Sequence, residues 1–360
     1  MSNSSSPDAY NGQSFNYNPY HQPVGGSYQW NIQAERQLGA NFAASLAYVA
    51  SHGHNLPFQV DLNQVPESKL SANDQQFRPF PQFQSLNVSG SPTNENPVSN
   101  YNSLQAVLDK RMTQGLNFQF SYVWSHFLDD LDTAGWGSHG GSQFVQSSYE
   151  PSKNYGNANF DIRNAFRGFA IYELPFGRNK RFLNNNYLLD EVVGGWQLAT
   201  TIIVQSGQPF TAVMASGTNS YSLGGNNFKW FPNVIGNPKL QNRGPKQWFN
   251  EAAFAVPTPG TFGNERRNQL TGPAFERVNL SLGKTFSITE QVHVQVRADA
   301  NNAFNHPAFD LPNQELTVCP SSGTLPSGCG GYGAIATGTS TITKLTDPGR
   351  TLQLSAHLTF

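Results

Sequence analysis

The sequence predicts an all-β fold: an antiparallel meander of about nine long strands forming part of a transmembrane β-barrel, with long outer loops and short periplasmic turns. Three observations predict it. Apolar and polar residues alternate with period two, the strand runs are long, and tight turns alternate strictly with long excursions.

The first alternating run sets Tyr28, Trp30, Ile32 and Ala34 against Gln29, Asn31, Gln33 and Glu35. A weaker run covers Phe42 to Ala50, and another covers Asn102 to Arg111. Leu116, Phe118, Phe120, Tyr122 and Trp124 then alternate with Asn117, Gln119, Ser121 and Ser125, broken only by Val123. Ile162 to Leu174 and Trp196 to Gln205 continue the series less clearly. Val278, Leu280 and Leu282 face away from Arg277, Asn279 and Ser281. Val292, Val294, Val296 and Ala298 oppose His293, Gln295, Arg297 and Asp299, which form the candidate polar face of a lumen. The final run, Leu352 to Phe360, alternates with Thr351, Gln353, Ser355, His357 and Thr359. Most runs are about 9 to 13 residues long, beyond the ~5 to 6 of a globular strand but matched to the ~9 to 11 that cross a bilayer.

LGAN at 38–41, MTQG at 112–115 and SITE at 287–290 are tight turns, with a medium one, PFGRNKRF, at 175–182. Between them lie excursions over 51–100, 129–160, 207–275 and 302–349. Loops beyond ~15 residues are uncommon in compact domains, and outer-membrane barrels place all of theirs at the extracellular end. With Phe360 in the periplasm, every short turn falls on that side and every long loop outside. Only 12% of the 360 residues are charged, about half the usual share, which suits a face in contact with hydrocarbon. Tyr28, Trp30, Tyr48, Tyr122, Trp124 and Trp196 lie toward strand ends, where interfacial aromatic girdles sit.

A net charge of -1 gives no electrostatic footprint for nucleic acid. The start, MSNSSSPDAY, shows neither the basic nor the apolar region of a secretory signal, and residues 1–26 read as an irregular lead-in to a barrel segment at 27–360. Cys319 and Cys329 read as a short-range disulfide in an exported loop rather than free thiols; a zinc site needs a second pair.

Two matches to G-x-G-x-x-G, at Gly135, Gly137 and Gly140 and at Gly328, Gly330 and Gly333, open no helix of a βαβ unit, so glycine-rich loop is the reading and no cofactor is expected. Asp129, Asp130 and Asp132 with Gly135 form an acidic cluster that lacks a full calcium ligand set and reads as loop charge. His52 and His54 flank Gly53 without a third metal ligand and read as a turn leaving the rim. His126, His293 and His357 are isolated on strands, and no hydrolase, zinc-protease or P-loop signature occurs, so no enzyme is expected. The aromatic stretches NNFKWFPNV (226–234) and KQWFNEAAF (246–254) either contact a ligand or pack the loops on one another.

The runs YQWNIQAERQLGANFAASLAYVASHGHNLP, YNSLQAVLDKRMTQGLNFQFSYVWSHFLDD, NFDIRNAFRGFAIYELPFG, GWQLATTIIVQSGQPFT and VQVRADANNAFNHPAFDLPN, with a terminal HLTF, together resemble the C-terminal barrel of the Oar-like TonB-dependent receptors. The resemblance implies a barrel of about 22 strands around a plug. This chain carries about nine strands and no plug or energy-coupling box, and is expected to be a fragment. It further implies a bacterial outer-membrane location, lipid as a partner, an unidentified ligand at the outer loops, and coupling to the TonB complex only through the missing plug. Ala356, Leu358 and Phe360 look like the C-terminal signal that the barrel-insertion machinery reads by strand pairing. The function expected is that of a receptor and transporter barrel; the alternative is a surface adhesion or interaction protein whose loops bind without transport.

Overall fold

The computed structural model describes residues 11–17, 20–21, 23–56, 59–70, 75–89, 97–130, 146–177, 180–182, 192–215, 230–258, 260–289, 291–331, 333–347 and 349–360. Nine long strands run β1 (Gly26–Gln37), β2 (Phe42–His54), β3 (Ser99–Thr113), β4 (Leu116–Asp129), β5 (Asn164–Glu173), β6 (Trp196–Gln205), β7 (Phe275–Ser287), β8 (His293–Asn301) and β9 (Thr351–Thr359). Each pairs antiparallel with the next in chain order, so the sheet is an uninterrupted meander whose edges are β1 and β9. Short connections favour this order because a hairpin closes little chain entropy. The β3–β4 turn shows the device: Gln114 and Gly115 both take positive φ, the backbone of the two-residue hairpin whose twist matches its strands.

Partners across a sheet share a face, so register converts alternation in each strand into a property of the whole sheet. One row reads Ala44, Leu108, Phe120, Gly168, Ile202 and Val278 across β2 to β7. Nearer the short turns another reads Leu116, Tyr172, Leu198, Leu282, Ala298 and Leu354 across β4 to β9. On the opposite face the matching row is Asn117, Ile171, Ala199, Ser281, Asp299 and Gln353. The Phe120 ring lies over Gly168, where a Cβ would meet its Cδ1 at 2.3 Å, and stacks on Phe166 at 5.7 Å.

These apolar rows are not sealed inside the protein. Leu46, Leu104, Trp124, Leu198 and Leu282 are exposed, as is Leu354 at the β9 edge. A soluble sandwich would bury such a face against a second sheet. The buried core lies instead in the long connections: Val65, Leu70, Phe210, Met214, Trp230, Phe249, Phe254, Leu270, Leu316 and Ile335 form one cluster. All the long connections with residues in that cluster leave the sheet at the same end. Small strand pairs stitch this cap together, Pro209–Phe210 with Leu270–Thr271, and Val213–Met214 parallel to Glu315–Leu316.

Two expectations are corrected. The lead-in is not wholly irregular, since Ser14–Tyr17 forms a strand parallel to Ser85–Ser89, which also pairs with Gln59–Asp61. Its SFNY stretch alternates too briefly to stand out in sequence. The second long strand does not end at Ala50 but continues to His54, held by Gly26 and Ser99–Asn100 on either side. His52 and His54 are therefore strand residues, not part of a turn.

Candidate functional site

The face opposite the apolar rows carries the predicted polar set. His293, Gln295, Arg297 and Asp299 point to one side of β8 and pair in register with Thr359, His357, Ser355 and Gln353 of β9. Arg297 Nε donates to Asp299 Oδ2 at 2.9 Å, an intrastrand pair two residues apart on one face. Arg297 and Asp299 share a shallow hollow of about 250 Å³ with Thr201, Asn279 and Gln353. A second, of about 410 Å³, brings Gln295 and Arg297 beside Glu173 and Lys180, which pair at 2.7 Å. His293 joins neither; its Nδ1 lies 3.1 Å from Ser287 Oγ near the short turns.

Ala356 and Leu358 lie on the apolar face opposite Val296 and Val294, and Phe360 follows the strand fully exposed. The β9 edge beyond them is unpaired among the described residues. Cys319 and Cys329 are joined by a disulfide that closes a loop in the cap. Gly328 and Gly333 of the second glycine motif take positive φ there, with no helix following. Gly135, Gly137, Gly140 and Asp132 lie outside the described residues.

The acidic residues that are described serve the fold. Asp130 Oδ2 accepts from the Val98 amide at 2.8 Å. Asp129, at the outer end of β4, forms a buried ion pair with Arg267 from the long connection after β6. Arg267 also donates to the backbone carbonyls of Asp129, at 2.6 Å, and Asn154, at 2.9 Å. His52 Nδ1 lies 2.7 Å from Asn100 Oδ1, His54 stacks on Tyr28 at 5.1 Å, and His126 Nε2 lies 3.0 Å from Asn157 Oδ1. These contacts place the imidazoles in a polar and aromatic belt at the outer rim, with Tyr48 donating to Asn102 at 2.6 Å and Tyr122 to Asn164 at 2.7 Å.

The cap is fixed by buried polar side chains that reach from one long connection to the backbone of another. Gln64 accepts from the Ser148 amide at 2.6 Å and donates to the Gln146 carbonyl at 2.7 Å. Gln146 accepts from the amides of Phe231 and Gly263, at 3.0 and 3.1 Å. Asn268, at φ 55°, exchanges hydrogen bonds with Thr211 and donates to the Asn157 carbonyl at 2.7 Å. Glu251 accepts from the amides of Thr339 and Ser340, at 3.0 and 2.8 Å. Burial pushes the Glu251 carboxyl up, but hydrogen bonds from Ser340 and Gln247 outweigh it and hold the group below the usual range. Burial beside Asp61 raises the Tyr149 phenol to about 12, and its hydroxyl donates to the Gln64 carbonyl at 2.6 Å.

No sequence pattern marks Gln64, Gln146, Glu251 or Arg267, because their partners are distant in the chain. The aromatic stretches resolve toward packing: Trp230, Phe231, Phe249 and Phe254 are buried, and Trp248 donates its indole N–H to the Thr271 carbonyl at 2.9 Å. Asn226 to Lys229 lie outside the described residues.

Some buried oxygens are not so satisfied: Asp61 Oδ2, Ser148 Oγ, Thr339 Oγ1 and Glu265 Oε1 lack a partner among the described residues, and among these groups Glu265 has a shifted titration. It is buried, Oε2 accepts from Gln269 at 2.6 Å, and Oε1 has no partner. Burial lifts its pKa to about 8, against hydrogen bonds from Ala212 and Gln269. A carboxyl raised in the folded state stabilises fully below its unfolded pKa near 4.5, and that stability is lost as pH rises toward 8. Glu265→Gln is expected to remove most of this pH dependence, a loss of about 3–4 kcal/mol between pH 5 and pH 8. Hydrogen exchange of cap amides at pH 5 and pH 8, for the variant and its parent, measures the difference.

Residues 1–353 match the sequence profile of the outer membrane beta barrel domain. Among curated proteins none matches the chain in sequence. Of solved structures, the outer membrane transporter YddB from Escherichia coli aligns at 10% identity and TM-score 0.46, over 97% of this chain and 34% of its own. The ferripyoverdine receptor of the outer membrane of Pseudomonas aeruginosa aligns at 11% identity and TM-score 0.40, over 93% of this chain and 27% of its own. The chain thus spans about a third of the length of these proteins or less.

Proposed function

The chain belongs to the outer membrane beta-barrel domain family and resides in the outer membrane, and from that premise we propose that it is the wall and outer cap of a receptor that takes cargo through TonB-dependent transport. The observation that carries this reading is the two-faced, in-register sheet crowned by a single built cap: one face suits lipid, the other a polar interior, and the cap a recognition surface.

The strand count supports a wall that is part of a larger barrel. β1 and β9 are separated by seven antiparallel neighbours and so run in the same direction. Closing them on each other, or onto copies of this chain inserted the same way, would require a parallel seam. An all-antiparallel barrel forms only if an odd number of further strands lies between them. Ala356, Leu358 and Phe360, on the last free edge, are then available to the insertion machinery by strand addition. TonB would act on a plug held against the polar face that carries Arg297 and Asp299, and not on the strands themselves.

Cells carrying the intact receptor test the reading when periplasmic and surface-bound small molecules are compared by mass spectrometry with and without TonB. Cargo that reaches the periplasm only with TonB supports transport. Cargo that binds the surface without ever requiring TonB, or entering, would mean an adhesion role instead.

A further inference from the structure

A third hollow lies on the polar side of β3, β4 and β5, under the cap, and no role above uses it. It has a volume of about 420 Å³, within the range of small-molecule pockets. Its outer end is aromatic. Tyr101 and Phe127 face each other across β3 and β4 with rings edge-to-face at 5.8 Å, and Phe160 meets Phe127 at 4.9 Å. Phe127 is pinned from behind, because Asp161 Oδ1 accepts its amide at 2.8 Å. The middle of the hollow is lined by Val123 and Ala165, which are register partners.

At the inner end stands Arg167, opposite Ser121. Ser121 donates to the Arg167 carbonyl at 3.2 Å, but the guanidinium has neither an ion pair nor a side-chain hydrogen bond among the described residues. Asp161 also lines the hollow, but its carboxylate is already engaged, by the Phe127 amide and by Arg163 at 3.1 Å, and Arg277 pairs with Asp347. An exposed arginine on a polar face is unremarkable by itself. An arginine without a counter-ion among the described residues, at one end of a hollow whose other end is an aromatic cage, is a matched pair of binding groups.

We propose that this hollow binds an elongated organic anion, with a planar aromatic part seated against Tyr101, Phe127 and Phe160 and a carboxylate or similar oxyanion held by Arg167. The aromatic walls supply apolar burial and edge-to-face contact, and the guanidinium fork supplies a bidentate, charge-assisted anchor. The geometry fixes orientation as well: the ring lies toward the outer cap and the anion toward the membrane centre. This names a substrate class for the receptor reading and rests on it only for the direction of passage; binding itself does not require transport.

The test uses the full chain purified in a non-ionic detergent, with biphenyl-4-carboxylate as probe and biphenyl-4-methanol as its neutral counterpart, each titrated by ligand-observed NMR. Arg167→Gln is expected to weaken the carboxylate about tenfold and leave the alcohol unchanged. Phe160→Ala, at a half-exposed ring, is expected to weaken both. Signals that do not saturate, or that are the same for both probes in all three proteins, would show partition into micelles and overturn the proposal. Saturable carboxylate binding that ignores Arg167 would overturn it too. Loss of TonB-dependent uptake with these affinities intact would count against the receptor reading and leave the site standing.

Discussion

Replacing Arg267 with Met is expected to open the outer cap while leaving the sheet in place. The side chain is fully buried, and it satisfies the Asp129 carboxylate and two backbone carbonyls at once. Removing one partner of a buried pair leaves an uncompensated charge in a poor dielectric and typically costs about 3–5 kcal/mol. At about 1.4 kcal/mol per tenfold, cleavage of the cap by a protease that attacks the opened state should rise a hundredfold or more. The double variant Arg267→Met with Asp129→Leu should recover most of that loss, because the orphaned carboxylate is gone. Lys153→Ala is the internal control. Lys153 and Glu150 are closer to an ordinary pair, 2.6 Å apart but half exposed, and their loss should cost under about 1 kcal/mol.

The second large effect belongs to the sheet. Ile202 sits in the middle of the apolar row between Gly168 and Val278, and Thr201 beside it points to the polar side, where Asn279 donates to it at 3.0 Å. Ile202→Arg places a cation near the bilayer midplane, at a cost of about 2–4 kcal/mol. Thr201→Arg, one residue away, should cost little, since its side chain emerges among amides and hydroxyls. Urea unfolding of the two variants from lipid vesicles reads the difference directly, and the asymmetry between adjacent positions is the informative quantity.

Strand-level structure was legible because a strand writes its environment into its own sequence. Leu116 to Ser125 alternate, and β4 carries that alternation unchanged into the sheet. Of the weaker runs, Trp196–Gln205 matches its strand end to end, whereas Phe42 to Ala50 and Asn102 to Arg111 mark only part of longer strands. Where the end of a strand is set by partners and not by its own composition, sequence fell short: SHGH continues β2 only because Gly26 and Ser99 pair with it. The cap was illegible for a related reason. Glu251 looks like any surface glutamate until residues 339–340 fold over it, and Gln146 like any loop glutamine until it spans Phe231 and Gly263. Asn268 alone left a faint local trace, since asparagine tolerates the left-handed backbone it adopts. The polar set on β8 was readable as a face, whereas its division between two hollows depended on which strands pack beside it. Arg167 is not distinguished in sequence, because a charged residue in an alternating strand carries no mark of whether it has a counter-ion.

The central claim is that the apolar face of the nine-strand sheet meets lipid. Both cysteines are held in the Cys319–Cys329 disulfide, so a thiol introduced singly can be labelled without background. Spin labels placed one at a time at Phe118, Gln119, Phe120, Ser121 and Tyr122, in protein reconstituted into bilayers, report collision with oxygen dissolved in lipid against a water-soluble nickel chelate. Oxygen access should peak at 118, 120 and 122 and fall at 119 and 121, in step with the period of the strand. Uniform access to the nickel chelate, or protection of the even positions from both reagents, would contradict a lipid-facing sheet and remove the basis of the receptor assignment.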